Sequence, residues 1–208
     1  MRKTGVLAIA IFLAAAGWTH ASIRVGVMGG YALTPDKNYG EAVAYGVSVG
    51  LDLGKYFCVE LSGLRFQYPV TTATTEGLSK GSLATLPVEL SLKARFSSGG
   101  LAPYLSVGAG YYLNHFSLDS TVASGWEKVG FEITEKVDNV VGFHAAAGLE
   151  LALSPTAAVC LEVRYCFARP NGSWQISDTG SGQVIAGDLK NLNLDSIIFN
   201  LGFAFSFK

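Results

Sequence analysis

Charge is scarce in this sequence of 208 residues: 15% of it is Asp, Glu, Lys or Arg, where soluble domains carry about 25%. Beside a hydrophobic content of 50%, that deficit excludes an ordinary water-solvated exterior. It fits a chain with lipid as a second solvent. No sign of charge dominates either. The formal net charge is −1, so the electrostatic footprint of a nucleic-acid binder is missing. Past residue 21 no run of about 18 apolar residues occurs, which excludes a membrane-spanning helix from that part. Cysteine is limited to Cys58, Cys160 and Cys166, and their spacing matches no metal-site pattern. Neither a metal nor another cofactor is expected. Cys160 and Cys166 would lie on one strand, about 20 Å apart and too far to bridge. Nothing places Cys58 near either, so free, buried thiols are expected.

What is present begins with residues 1–21, which read as a cleavable signal peptide. Arg2 and Lys3 make a charged start, Gly5 to Trp18 is a short apolar run, and Thr19-His20-Ala21 supplies small residues at the cleavage positions. Without Arg2 and Lys3 the balance is 13 basic against 16 acidic side chains. Residues 22–208 are expected to form one domain.

That domain is organised around its last stretch, NLDSIIFNLGFAFSFK. Ile197, Phe199, Leu201, Phe203, Phe205 and Phe207 share one parity. Asn200, Gly202, Ala204 and Ser206 share the other. Such alternation means an extended strand with one greasy and one tight, polar face. Eight alternating segments can be counted, near 23–33, 43–53, 56–68, 84–96, 101–117, 139–153, 157–168 and 193–208. In the third the apolar parity slips near Gly63, which predicts a bulge or an exit above the lipid. The connections alternate in length. Polar loops at 34–42, 71–82, 118–138 and 169–192 are long; turns at 54–55, 97–100 and 154–156 are short. In lipid every backbone polar group must be paired internally, so strands cross only as a closed barrel. The predicted fold is all-β: an eight-stranded antiparallel transmembrane β-barrel with short periplasmic turns and long extracellular loops. Tyr31, Tyr45, Tyr111, Tyr165 and Phe167 fall at the loop ends of their strands. Phe57, Phe96 and Phe207 fall at the turn ends. Two aromatic belts at two interfaces are the expected pattern.

The stretches LATLPVELSLKARF with LAPYLSVGAGYY (83–96 and 101–112), VGFHAAAGLELALSPTAAVCLEVRY (141–165) and the last strand resemble the OmpW-type eight-stranded outer-membrane proteins. The Leu-Pro entering the fourth strand, the Pro-Tyr entering the fifth, and Gly108 with Gly110 carry the likeness. The resemblance implies localisation in the cell outer membrane of a Gram-negative-type bacterium. It also implies passage of small hydrophobic compounds, and contact with the barrel-assembly machinery through the C-terminal strand. That family usually ends on the aromatic of the assembly signal, whereas this chain ends Phe207-Lys208. Its interior is also more charged than a greasy conduit requires.

Collecting the inward parity gives Arg24, Asp52, Glu60, Glu89, Lys93, Arg95, His144, Glu150, Glu162 and Arg164. These are the candidate lumen-lining, ligand-binding residues. Eight strands leave room only for their own side chains or one small ligand, and buried charges must be paired to be tolerated. Two readings stay open: a self-neutralising plug with loops that meet partners, or a narrow polar or amphiphilic path for a small hydrophobic ligand. His115-Phe116-Ser117 resembles the His and Ser of outer-membrane lipid A deacylases, with Glu127, Glu132 or Glu135 to orient the histidine. So short a motif at the headgroup interface is outweighed by chance, and no catalytic residue is assigned.

Overall fold

The computed structural model describes residues 22–71, 78–96 and 100–207. The cleavage expected after Ala21 lies outside the described residues. Eight long strands close into one barrel: β1 (Ser22–Leu33), β2 (Ala42–Leu53), β3 (Phe57–Val70), β4 (Gly81–Arg95), β5 (Leu101–Leu118), β7 (Val140–Ser154), β8 (Ala157–Phe167) and β11 (Ser196–Phe207). Each pairs antiparallel with its neighbours in the chain's barrel order, and β1 closes the ring on β11, from Ile23 opposite Phe207 to Leu33 opposite Ile197. Closure gives every barrel strand a partner on both sides, which removes the open edge strands that invite stray pairing. Strand parity decides the faces. Val25, Val47, Leu90, Val107, Phe143, Leu161 and Phe203 all project outward and are exposed, where only lipid can cover them. Leu51 departs from this pattern at 4% exposure, being covered between Ile23 and Val59 of the flanking strands. Both aromatic belts are in place, with every one of their members exposed on the outer face.

The slip expected near Gly63 is no bulge. The β3–β4 register keeps one alignment from Phe57 opposite Ala94 to Val70 opposite Gly81, with only Leu64 and Arg65 left out of the pairing. The two solvents change instead. Arg65 faces outward at the level of Tyr45, followed by Gln67, both exposed to water above the lipid. On the opposite parity Leu64, Phe66, Tyr68 and Val70 turn into a dry interior, each at most 2% exposed. β3, β4 and β5 thus rise past the membrane as a wall whose greasy face is its inner one.

The loops at 118–138 and 169–192, read from the sequence as long polar connections, are folded. Asp119 caps the helix α1 (Ser120–Lys128) by accepting a hydrogen bond from the Thr121 N–H, which satisfies a donor the helix leaves open. Three further strands, β6 (Phe131–Val137), β9 (Gly172–Asp178) and β10 (Val184–Leu189), pair antiparallel as a sheet in the order β10–β9–β6. Val137, Leu189, Leu192 and Leu194 from this cap join Leu64, Phe66, Tyr68, Leu83, Phe116 and Ile198 of the barrel in one apolar core. The outer half of the lumen is therefore filled by hydrophobic packing, which the parity of the lower strands did not announce.

Asp195 pins together the two ends of the 169–192 loop at the rim. It accepts hydrogen bonds from Arg169 at 2.9 and 3.2 Å, from Tyr165 Oη at 3.0 Å and from the Ala168 N–H at 3.3 Å. Burial alone would raise its carboxyl, but these donors outweigh it and hold the group below its ordinary 3.8. A depressed carboxyl contributes stability that is full above the unfolded value and is lost as pH falls through the folded one. The cap is expected to loosen below pH 3.8. Asp195→Asn should loosen it already at neutral pH and flatten that acid response. Amide exchange at 168–195 measured against pH checks both.

Candidate functional site

All ten candidate residues project into the lumen, on the faces their parity assigns, and stack in three tiers. The lowest is a closed ring of alternating charge. Arg24 meets Glu150 at 2.5 Å and Asp52 at 3.8 Å. Arg95 bonds Asp52 and lies 3.7 Å from the second oxygen of Glu150. Ser22 donates to Asp52 at 2.9 Å. In the middle tier Lys93 donates to Glu60 at 3.1 Å and rests 4.6 Å from the centre of the Tyr104 ring. Ser48 also donates to Glu60, at 3.4 Å.

The top tier is built on Arg164, which is 1% exposed. Its guanidinium holds Glu89 at 2.5 Å and Glu162 at 2.9 Å. Tyr112 donates to Glu89 at 2.7 Å, Tyr104 to Glu162 at 3.0 Å and Asn200 to Glu162 at 3.3 Å. His144 Nδ1 stands 3.2 Å from Glu89 but off the line of a hydrogen bond, while its Nε2 pairs with Ser91 at 3.0 Å. This tier has one carboxylate more than its one guanidinium, and His144 stands beside it.

Sequence reasoning missed Tyr104 and Tyr112 as members of this network. Their signal is local: inward parity on a strand that also places small residues inward. The ring of Tyr104 crosses Gly148, where an added Cβ would lie 2.4 Å from the ring, so only glycine gives the tyrosine its path to Glu162.

Little space remains between the side chains. A cavity of about 40 Å³ is lined by Arg24, Glu60, Lys93, Tyr104, Glu150 and Glu162, among others. That is room for about one water. Below it a vestibule of about 160 Å³ opens between Arg24, Glu150 and the 154–158 turn. Arg24 and Glu150 line both spaces, so their ion pair is the partition. The three thiols are free. Cys58 and Cys166 are buried, while Cys160 is only half-buried and borders the small cavity.

His115 and Ser117 lie two residues apart on the outer face of β5, both exposed. Among the described residues no hydrogen bond joins them. Glu135 is engaged by the Ser79 N–H at 2.9 Å and by the Ser79 hydroxyl. The arrangement lacks the contacts of nucleophile, base and orienting acid that hydrolysis needs.

Solved structures repeat this architecture. OprG from Pseudomonas aeruginosa superposes with a TM-score of 0.61 at 17% identity, over 90% of this chain and 95% of that one. Neisserial surface protein A gives 0.55 at 12% identity, over 90% and 97%. AlkL, solved in lipid bilayers, gives 0.51 at 16% identity, over 90% of each chain. At these identities the likeness is one of fold. No curated protein sequence matches the chain. The family model of the outer membrane protein beta-barrel domain matches residues 4–207. With a closed barrel, a lipid-facing apolar surface and two aromatic belts behind that match, the chain belongs to the outer membrane protein beta-barrel domain family and is a protein of the outer membrane.

Proposed function

We propose that this protein is a closed barrel whose work is done by the folded cap it holds outside the membrane, and not by flow through the lumen. The observation that carries this reading is the filled interior: three tiers of paired charge that leave among them a cavity of about 40 Å³, and an apolar core above. A path for even a small solute would need both fillings to move. Planar-bilayer recording tests it. The parent protein is expected to show no discrete conductance. Arg24→Ala, which joins the two lower spaces, should stay silent because the apolar core still blocks the outer half.

The second reading is a conduit for small hydrophobic or amphiphilic compounds, in line with the OmpW-type resemblance. What favours it is the partition at Arg24 and Glu150, two members of the lowest ring that line both the vestibule and the inner cavity. Steps of conductance in the parent, or their appearance in Arg24→Ala, would support this reading and overturn the first. The interaction partners of the cap and the lumen residues' role as ligand contacts belong to these proposals alike.

A further inference from the structure

The wall of the barrel has a seam. β5 pairs with β7 only as far as Tyr112 opposite Val140, while its other edge stays paired with β4 up to Leu118. Beyond Tyr112 the ladder is replaced by the side chains of two asparagines. The Asn114 N–H donates to Asn139 Oδ1 at 2.8 Å, and Asn114 Nδ2 donates to the Asp138 carbonyl at 2.9 Å. Between the free edge of β5 and the cap strand β6 lies a cleft of about 680 Å³. That volume is in the range of ligand pockets, roughly 300–1,000 Å³. Its floor is Tyr111 of the outer aromatic belt, so it opens sideways at the height where lipid headgroups begin.

Part of the lining is polar and unspent. His115, Thr134, Lys136 and Asp138 border the cleft; among the described residues their side chains make no hydrogen bond or ion pair. They offer both donors and acceptors, beside Tyr111. Glu135 also borders it, so two carboxylates stand against one lysine. That balance disfavours a bare phosphate. It suits a ring of hydroxyls and amides, which needs both kinds of hydrogen-bond partner and little net charge.

We infer that this cleft binds the sugar headgroup of an outer-leaflet glycolipid, through His115, Thr134, Lys136 and Asp138, and through its hydroxyl and amide groups and not its phosphates. The inference rests on the outer-membrane location alone, so it stands whether or not the lumen conducts. The acyl chains would lie along Tyr111 and Leu113 below. His115, isolated as a catalytic residue, gains a use here as a hydrogen-bonding wall.

The test uses the purified protein in phosphatidylcholine bilayers doped with diphosphoryl lipid A, with the same glycolipid stripped of its phosphates, or with phosphatidylethanolamine. Backbone amide exchange at 134–139 is followed. Both glycolipids are expected to slow it about tenfold, equivalent to roughly 1.4 kcal/mol, and phosphatidylethanolamine to leave it unchanged. An excess of the acyl-free glucosamine disaccharide should slow the same amides, which ties recognition to the sugar. The double variant His115→Ala with Asp138→Ala should lose the protection while keeping the folded mobility of the parent on unheated gels. Equal protection by phosphatidylethanolamine, protection that requires the phosphates, or protection that survives in a folded double variant would each overturn the assignment.

Discussion

Arg164→Ala is expected to cost the barrel about 3–5 kcal/mol, the usual penalty for stripping a buried charge of its partner. Arg164 is the one guanidinium of the top tier, and it holds two carboxylates at once. Without it Glu89 and Glu162 face each other's surroundings with only tyrosine, asparagine and histidine as donors. The loss is large beside a typical folding free energy of about 5–15 kcal/mol. The fraction of protein that keeps its folded gel mobility, followed against urea, would show the midpoint fall. Adding Glu89→Gln and Glu162→Gln to the same chain should restore much of it, because no uncompensated charge remains. Lys93→Ala, which leaves Glu60 with the Ser48 hydroxyl, should act in the same direction. Glu127→Ala, in the cap and away from the lumen, should stay within about 0.5 kcal/mol of the parent. If Arg164→Ala unfolded at the parent's midpoint, the account of the lumen as a charge-paired plug would be wrong.

Phe66→Ala is the second large expectation, and it strikes the other filling. Phe66 is 2% exposed, with its ring 5.2 Å from that of Tyr68, which in turn meets Tyr39 edge-on at 6.5 Å. Truncating a buried phenylalanine costs about 3–5 kcal/mol, from lost transfer energy and from the cavity left behind. The damage should be local. Amides of Tyr39, Val70, Leu192 and Leu194 should exchange faster, since these residues share its core. The ladders around Glu60 and Lys93 should keep their protection, since stability is not uniform across a structure. Uniform acceleration along all strands would mean that cap and barrel are one cooperative unit. No acceleration anywhere would mean that the apolar filling carries no stability.

The orientation of every lumen charge was legible from parity alone, because a strand has only two faces and lipid forbids charge on one of them. The pairing was not. Arg24 of β1 meets Glu150 of β7 across the lumen, a contact set by the barrel's closure and not by any spacing along the chain. The Gly63 break shows a different limit. Val59 and Leu61 face outward while Leu64 and Phe66 face inward, yet the register never shifts. Above the lipid the outside becomes water and the inside becomes a dry core, so the apolar parity exchanges faces without any slip of the chain. The sequence shows the exchange but cannot say which solvent changed. The cap was missed for a third reason. FEITEKV alternates as a strand should, but it is short, half polar and paired with β9 some forty residues on. Asp119 before STVASGWEK is a helix-start signal that a search for strands passed over.

The ladder between β1 and β11 joins the first described residues of the chain to the last, Ile23 to Phe207 among them. A hairpin such as β2–β3 can zip as soon as its turn forms. This pairing has to wait for everything between. Contacts of such long sequence separation form late and slowly, although the entropy of closing so long a loop grows only with the logarithm of its length. Until that ladder forms the sheet has two unpaired edge strands, and one of them, β11, carries Phe199, Leu201, Phe203, Phe205 and Phe207. The barrel is closed only once β1 fastens on β11, like a clasp.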